Sequence, residues 1–438
     1  MLDVPLRFPQ GFRWGVATSA HQVEGNNFNN QWYAWEQAGH ILSGDHCGLA
    51  CDWWDHAERD FDIAQGMGLN ALRLSLEWSR IEPRLGVWDG PAIMRYRQML
   101  QGLRQRGMEP LVTLHHFTHP LWFEARGGFL APDAVDLFAR YAAHVVRELG
   151  DLCDFWCTIN EPNVVCTFGY QIGDFPPGHH GDLRGTVHAQ ATMARAHAAA
   201  YRALHAAQPT ARVGWAQHYN TFDPANPHSP LDRYVARLQD EAFNEFFPHA
   251  VRTGTAKFPL STLAGDLRAV KDTCDFLGIN TYARDLVAFD PRRATELFGR
   301  RFTAPGAPKG DDGVTPIYSE MYPQGIARIV DRVRDWGKPI YITESGVPDR
   351  ADRLRPWVIT EGVQAMHAAR QKGADVRGYY HWSLVDNFEW AQGWTLRFGL
   401  VAMDHVTQAR TMRRSGNLYR AIIQTNALTP EMMAEYLG

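Results

Sequence analysis

Two glutamates stand at matching places in this chain, Glu161 in TINEP (158–162) and Glu344 in ITESG (342–346). Each ends a short apolar or β-branched run, and Pro162 directly after Glu161 stops any strand ladder there. A carboxylate beside apolar surroundings is costly unless it is neutralised or paired. Two carboxylates flanking one bond can instead do chemistry: one gives and takes a proton while the other attacks carbon. That arrangement cleaves a glycosidic bond through an oxocarbenium-like transition state. The two tasks need different proton affinities. Arg73 near Glu344 would favour its charged form, and that charge would help Glu161 keep a proton for a leaving oxygen. A lone strand-end glutamate is more often a salt-bridged structural residue; two of them with polar companions reverse the odds.

Positioning such a pair requires a rigid frame. Strand-like runs recur at 12–20, 71–78, 109–117, 155–161, 212–220, 274–282, 338–345 and 376–384. Between them lie helix-patterned segments, among them 55–68, 91–107, 132–150, 184–207 and 360–373, several closed by Gly68, Gly107 or Gly150. Strands apolar on both faces, alternating with helices, predict an all-parallel sheet covered by helices. Eight repeats predict closure into a single α/β (β/α)8 barrel over 1–438, with chemistry at the C-terminal strand ends. The alternative, an open doubly wound sheet, lacks its Gly-x-Gly-x-x-Gly signature. Residues 285–321, rich in Arg, Gly and Pro, break the rhythm and predict a lid or insertion over the strand ends.

The strand ends repeatedly carry polar or aromatic side chains. In order they are Gln22; Arg73 and Glu77; His115 and His116; Asn160 and Glu161; His218 and Asn220; Asn280 and Tyr282; Glu344; and Trp382, with Glu389 and Trp390 just beyond. Fifteen tryptophans, many near these segments, suit stacking on the apolar faces of sugar rings as well as ordinary core packing. Trp32, Trp35 and Trp122 are the expected outer wall. A net charge of −4 with no long run of one sign gives no footprint for nucleic acid or an anionic membrane. No run of about 18 apolar residues predicts a membrane span, and MLDVPLRFPQGFRWG does not have a signal-peptide pattern. Six cysteines in 438 residues make no disulfide framework; Cys47 and Cys51, like Cys153 and Cys157, are four apart, not at common zinc spacing. They read as small buried hydrophobes in a reducing compartment, with the cytoplasm as the default address.

The segments FRWGVATSAHQVEG, LRLSLEWSRIEP, TLHHFTHP, TINEPN, FLGINTY, YITESG and HWSLVDNFEWAQGW…RFGL, in this order, resemble glycoside hydrolase family 1, the β-glucosidase family, over nearly the whole chain. The resemblance implies a retaining double displacement on terminal non-reducing β-glycosyl residues, gluco first, with galacto or fuco also open. It implies Glu344 as nucleophile and Glu161 as acid and then base. Asn160 would hold the 2-hydroxyl; Tyr282 and Arg73 would position and polarise Glu344, with Asn280 among the residues supporting it. Gln22, His116, Glu389 and Trp390 would bind the outer hydroxyls and Trp382 would form the stacking floor. The implied partners are small β-glucosides and short β-linked oligosaccharides, with no metal and no organic cofactor. Phe117, Thr118, Thr281 and Ser345 stand where the family commonly has Trp, Asp, Tyr and Asn, so the finer shape of the sugar pocket departs from the pattern.

Other readings compete. In the thioglucosidase branch a Gln replaces the acid, whereas Glu161 points to O-glycosides. A 6-phosphosugar would be repelled by Glu389, and TLRFG (395–399) lacks the Lys and Tyr of phosphate-binding relatives. A metal hydrolase could use HHFTH (115–119) and GHHG (178–181), but His115 and His116 must face opposite ways on a strand. A sugar-binding or scaffold protein would be expected to lose one carboxylate. Transglycosylation is the nearest rival, since a glycosyl-enzyme accepts water or a sugar hydroxyl alike.

Overall fold

The structure is a computed structural model that describes residues 2–310 and 320–437. Its centre is a closed barrel of eight parallel strands: β1 (Arg13–Ala17), β2 (Ala71–Ser75), β3 (Glu109–His115), β4 (Phe155–Asn160), β5 (Arg212–His218), β6 (Leu277–Asn280), β7 (Ile340–Ser345) and β8 (Val376–Trp382). They pair in chain order and β8 closes on β1, with Trp382 opposite Ala17. The predicted (β/α)8 barrel is therefore present. Most strands are shorter than their sequence runs because the last residues of those runs belong to the loops; β7 instead starts later and keeps Ser345. Glu77, for example, caps helix Trp78–Ile81 instead of extending β2.

Helices fill the predicted intervals at Trp53–Gly66, Gly90–Gln105, Ala134–Leu149, Leu183–Ala207 and Arg355–Gln371. Asp89 and Asp182 start two of them by accepting the N–H groups of Ala92 and Gly185, which would otherwise be orphaned. At their far ends Gly68 and Gly107 turn left-handed, whereas Gly150 stays helical at φ −67°.

The strands sort their side chains by parity. Leu72, Leu74, Val112, Leu114, Ile340 and Ile342 face the helices. Ala71, Leu111, Phe155, Cys157, Phe276, Tyr341 and Tyr380 fill the barrel itself. The N-terminal end is closed by ions: Glu109 accepts from Arg13 at 2.7 Å and from Arg212 at 2.8 Å. Against the burial that raises it, those two arginines hold the Glu109 carboxyl below its ordinary range.

Parity breaks where the two glutamates need it. On β4, Phe155 and Cys157 point inward, so strict alternation would turn Asn160 outward. The register between β4 and β5 shifts between Cys157 and Asn160. On β7, Tyr341 and Thr343 point inward, and the register shifts between Ile342 and Glu344. Such irregularities re-aim side chains at barrel rims. Here they bring Asn160 and Glu344 inward, one residue out of phase.

The 285–321 segment differs from the loop expected. Ala283–Phe289, Gly299–Phe302 and Glu320–Met321 join Thr221–Pro224 in a four-stranded sheet beside the barrel. Its first strand alternates buried and half-buried residues, a period that the arginines and prolines downstream concealed. Residues 311–319 of the expected lid lie outside the described residues. Among the described residues, no helix is long and apolar enough to cross a membrane.

Close strand packing makes Gly278 indispensable. A Cβ there would lie 2.6 Å from the Trp215 carbonyl oxygen and 3.1 Å from both Ala216 Cα and Thr343 Oγ1. Gly278→Ala is expected to cost about 1–3 kcal/mol, the range for forcing atoms into a packed core. Urea unfolding measures this; an unchanged midpoint would contradict the packing described.

Candidate active site

The C-terminal mouth of the barrel is organised around Arg73, a fully buried guanidinium rising from β2. Its Nε donates to Thr113 Oγ1 at 3.1 Å and one terminal nitrogen to Glu344 Oε1 at 2.6 Å. The other donates to Asn160 Oδ1 at 2.6 Å. Asn280 Nδ2 then donates to Asn160 Oδ1 at 3.0 Å and to Glu161 Oε1 at 2.8 Å. Thr343 Oγ1 holds the other end of that amide at 2.7 Å. One buried network thus reaches from Glu344 to Glu161 through Arg73, Asn160 and Asn280.

The two carboxylates have different neighbours. Glu344 is held on both oxygens, by Arg73 and by the Tyr282 hydroxyl at 2.7 Å. Glu161 sits just past β4 at φ +47°, a strained position for a residue with a side chain. Its Oε1 accepts from Asn280 and lies 3.0 Å from His218 Nδ1, whose ring stacks on Tyr282. Burial pushes Glu344 up to about 7; Arg73 opposes this, the negative charge of Glu161 adds to it, and the bonds from Tyr282 and Arg73 oppose it again. Arg73 favours the charged form of Glu344, as expected, while burial works in the opposite direction.

The opposite side of the mouth is aromatic. The His116 ring lies nearly parallel to Trp382 at 5.9 Å and to Trp390 at 6.0 Å. Asn160 Nδ2 lies 3.1 Å from its Nε2. Burial, then Arg73, lowers its pKa well below the ordinary value, so this imidazole is uncharged. Gln22 Nε2 donates to the Phe388 carbonyl at 2.8 Å and to Glu389 Oε2 at 3.2 Å, beside Trp390.

All the residues singled out from the sequence for this site therefore fall in the mouth: Gln22, Arg73, His116, Asn160, Glu161, Asn280, Tyr282, Glu344, Trp382, Glu389 and Trp390. Other strand-end residues face elsewhere. His115 packs outward on Phe129 and Phe138 and meets His119, which contacts Glu124 at 2.7 Å. Glu77 accepts from Ser79, Thr118 and Asn30, and Asn220 donates to Asp285. One residue was missed, Thr113 beneath Arg73; His218, read only as a strand-end residue without a role, stands beside Glu161. Thr113 shares the inward parity of Leu111, which was the available signal.

Of the expected wall tryptophans, Trp32 is buried against Phe175 and Trp390, Trp35 stacks on His40, and Trp122 donates to the Glu82 carbonyl. Among the four departures, Phe117 packs on Trp390 at 4.9 Å and Thr118 donates to Glu77 at 2.8 Å. Thr281 bonds the Glu344 carbonyl through its backbone, and the Ser345 carbonyl accepts from Tyr379.

The family description "Glycosyl hydrolase family 1" matches residues 4–428. Beta-glucosidase A of Thermotoga maritima is 29% identical, covering 96% of this chain and 99% of its own length. A beta-galactosidase of Pyrococcus woesei is 30% identical over 98% of this chain and 99% of its own. Among solved structures, a Thermotoga maritima beta-glucosidase in complex with glucoimidazole superposes with a TM-score of 0.90 at 28% identity, covering 97% of this chain and 100% of that one. A beta-glycosidase from Pyrococcus horikoshii gives 0.88 at 34% identity, covering 99% and 98%.

The charge of Glu161 raises the proton affinity of Glu344, so neutralising it should have the opposite effect. In Glu161→Gln, Glu344 is expected to titrate at lower pH than in the parent. Carbon-13 NMR of glutamate-labelled protein reads this directly, and an unchanged or raised value would show that Glu161 carries no charge while Glu344 titrates.

Proposed function

The chain belongs to glycosyl hydrolase family 1, and on that premise we propose that it is a retaining β-glycosidase, β-glucosidase first, with Glu344 as nucleophile and Glu161 as acid and base. The observation that carries this reading is the single buried network joining Glu344, Arg73, Asn160, Asn280 and Glu161. Both Glu344 oxygens already accept hydrogen bonds, so a proton there would displace Arg73 or Tyr282. The bonds of Glu161 among the described residues fall on Oε1. This supports placing the proton on Glu161 for the leaving oxygen and keeping Glu344 for attack at the anomeric carbon.

The steps follow from those positions. Glu344 attacks from one face while Glu161 protonates the departing oxygen, giving a covalent glycosyl-enzyme. Glu161, now a carboxylate, takes a proton from water, which attacks the same carbon and releases the sugar with its configuration retained. Arg73 and the Tyr282 hydroxyl keep the Glu344 carboxylate aligned. Asn160, anchored by Arg73 and Asn280, offers its amide towards the 2-hydroxyl, where a hydrogen bond strengthens as the ring flattens. Gln22, His116, Glu389 and Trp390 hold the outer hydroxyls and Trp382 supports the ring. The substrates that suit this mouth are neutral β-glucosides and short β-linked oligosaccharides. Glu389 beside Gln22 disfavours a sugar phosphate. Six unpaired, buried cysteines suit a reducing compartment such as the cytoplasm.

Glu344→Ala should abolish turnover of aryl β-glucosides, and added azide should restore it with inverted product configuration. Glu161→Ala should slow substrates with poor leaving groups by about 10²–10⁴-fold, the range for general acid catalysis, and activated aryl glycosides far less. Equal losses on both substrate types would mean the roles are misassigned. A panel of gluco, galacto, fuco and 6-phosphogluco substrates ranks the glycones, with gluco expected first and the phosphorylated sugar last.

A further inference from the structure

His21 and Glu36 are joined in the interior, outside the side chains assigned to the sugar or to bond cleavage. Glu36 Oε1 lies 2.9 Å from His21 Nε2, and its Oε2 accepts the Cys47 backbone N–H at 2.9 Å. On the other side of the imidazole, Asn30 Nδ2 lies 3.1 Å from Nδ1. The orientation of Asn30 is fixed twice over. Its Oδ1 accepts the Tyr33 N–H at 2.8 Å as the cap of helix Gln31–Gln37, and its Nδ2 also donates to Glu77 Oε2 at 3.3 Å. Asn30 therefore presents an N–H to His21, and Nδ1 has to accept it. The imidazole carries its hydrogen on Nε2 and gives it to Glu36.

His21, Glu36 and Cys47 bring their ligand-type atoms within 4.8 Å of one another, a spacing that would also suit a metal ion. A metal-bound histidine carries its hydrogen on the remaining nitrogen and donates it to an acceptor. Asn30 offers a donor at that nitrogen, which argues for a fixed tautomer and against a cation.

The face of this ring supports the sugar side of the mouth. His21 lies nearly parallel to Trp390, with centroids 5.8 Å apart and planes at 14°, and meets Phe388 edge-on at 6.3 Å. Trp390 has a φ of +49°, a conformation that is an outlier for a bulky residue and persists only where its surroundings over-determine it. His21 also directly precedes Gln22 on helix Ala20–Glu24, and its carbonyl accepts from Cys47 Sγ at 3.0 Å. We propose that His21, locked as its Nε2–H tautomer between Asn30 and Glu36, is a positioning residue that fixes the Trp390 ring plane and the Gln22 amide and so sets affinity for the sugar ring. This rests on the reading that Gln22, Glu389 and Trp390 bind the non-reducing sugar.

His21→Phe keeps the ring and removes both hydrogen bonds. The Ki of a monosaccharide-like inhibitor such as deoxynojirimycin and the KM of an aryl β-glucoside should rise together by about tenfold, a hydrogen-bond-sized loss, with kcat changed far less. A lowered Tm with unchanged Ki would reduce His21 to a packing residue and overturn the proposal. Glu36→Gln keeps the size and weakens the same link; it should raise Ki in the same direction by a smaller factor, and it tests the link if His21→Phe does not fold. Nitrogen-15 spectra of histidine-labelled protein should show a His21 signal with Nε2 protonated and Nδ1 bare. The opposite tautomer, or a thiolate-to-cobalt absorption band on adding Co²⁺, would overturn it. Azide rescue of Glu344→Ala is independent of His21. If rescue succeeds while Ki stays unchanged in His21→Phe, this proposal alone fails; if rescue fails, the underlying reading of the site fails.

Discussion

The site depends on one buried cation. Arg73 is enclosed in the barrel, where an unpaired guanidinium would cost several kcal/mol in lost hydration. Its partners approach from three other strands: Thr113 from β3, Asn160 from β4, and Glu344 with the Thr343 carbonyl from β7. A planar fork of donors can satisfy all of them only if those strands hold fixed positions around it. The same bonds that offset its desolvation therefore also fix the relative placement of the groups proposed to act on the substrate. A charge of this kind is poor evidence for stability, since replacing a buried ion pair by well-packed apolar residues is often neutral or stabilising. Its value lies in specifying one arrangement of the mouth.

The closed barrel is what makes this arrangement possible. Parallel strands in chain order bring β4 and β7 to the same rim with β5 and β6 between them, and Asn280 on β6 bridges the gap. The two register shifts are needed as well. Without them Asn160 and Glu344 would point towards the helices, and Arg73 would face the apolar interior alone. The left-handed backbone at Glu161 belongs to the same class of local strain, held by the bonds on either side of it.

Most of the fold and the membership of the site were legible in the sequence. Strand-like runs separated by helical patterns gave the barrel, and many of the polar residues ending those runs gather at the mouth, while Glu77, His115 and Asn220 face elsewhere. What stayed hidden was phase. His115 and His116 could be assigned to opposite faces from alternation alone, but the direction of Asn160 and Glu344 depends on irregularities that no residue type announces. Burial was hidden too, so the rise it causes at Glu344 against Arg73 could not be read from residue types. The 285–321 segment misled for a related reason: its arginines and prolines masked a short alternating strand at 283–289. His21 and Glu36 are fifteen positions apart and meet through a loop, so no periodicity links them.

The two halves of the mouth have different electrostatic duties. The half containing Arg73, Asn160, Asn280 and the glutamates is proposed to manage charge that changes during bond cleavage, a task that preorganised donors suit. The half containing Trp382, His116 and Trp390 is the one proposed to hold a neutral ring and its hydroxyls. A charged imidazole there would add to the positive field of Arg73. Burial and Arg73 together keep His116 neutral, able to hydrogen bond without disturbing the glutamates. The carboxylate of Glu389 accepts from Gln22, and in the proposed reading it offers an acceptor to sugar hydroxyls and disfavours anions. The proposed preference for neutral sugars and the proposed control of the reacting charges both rest on the same separation of aromatic and ionic residues across one barrel mouth.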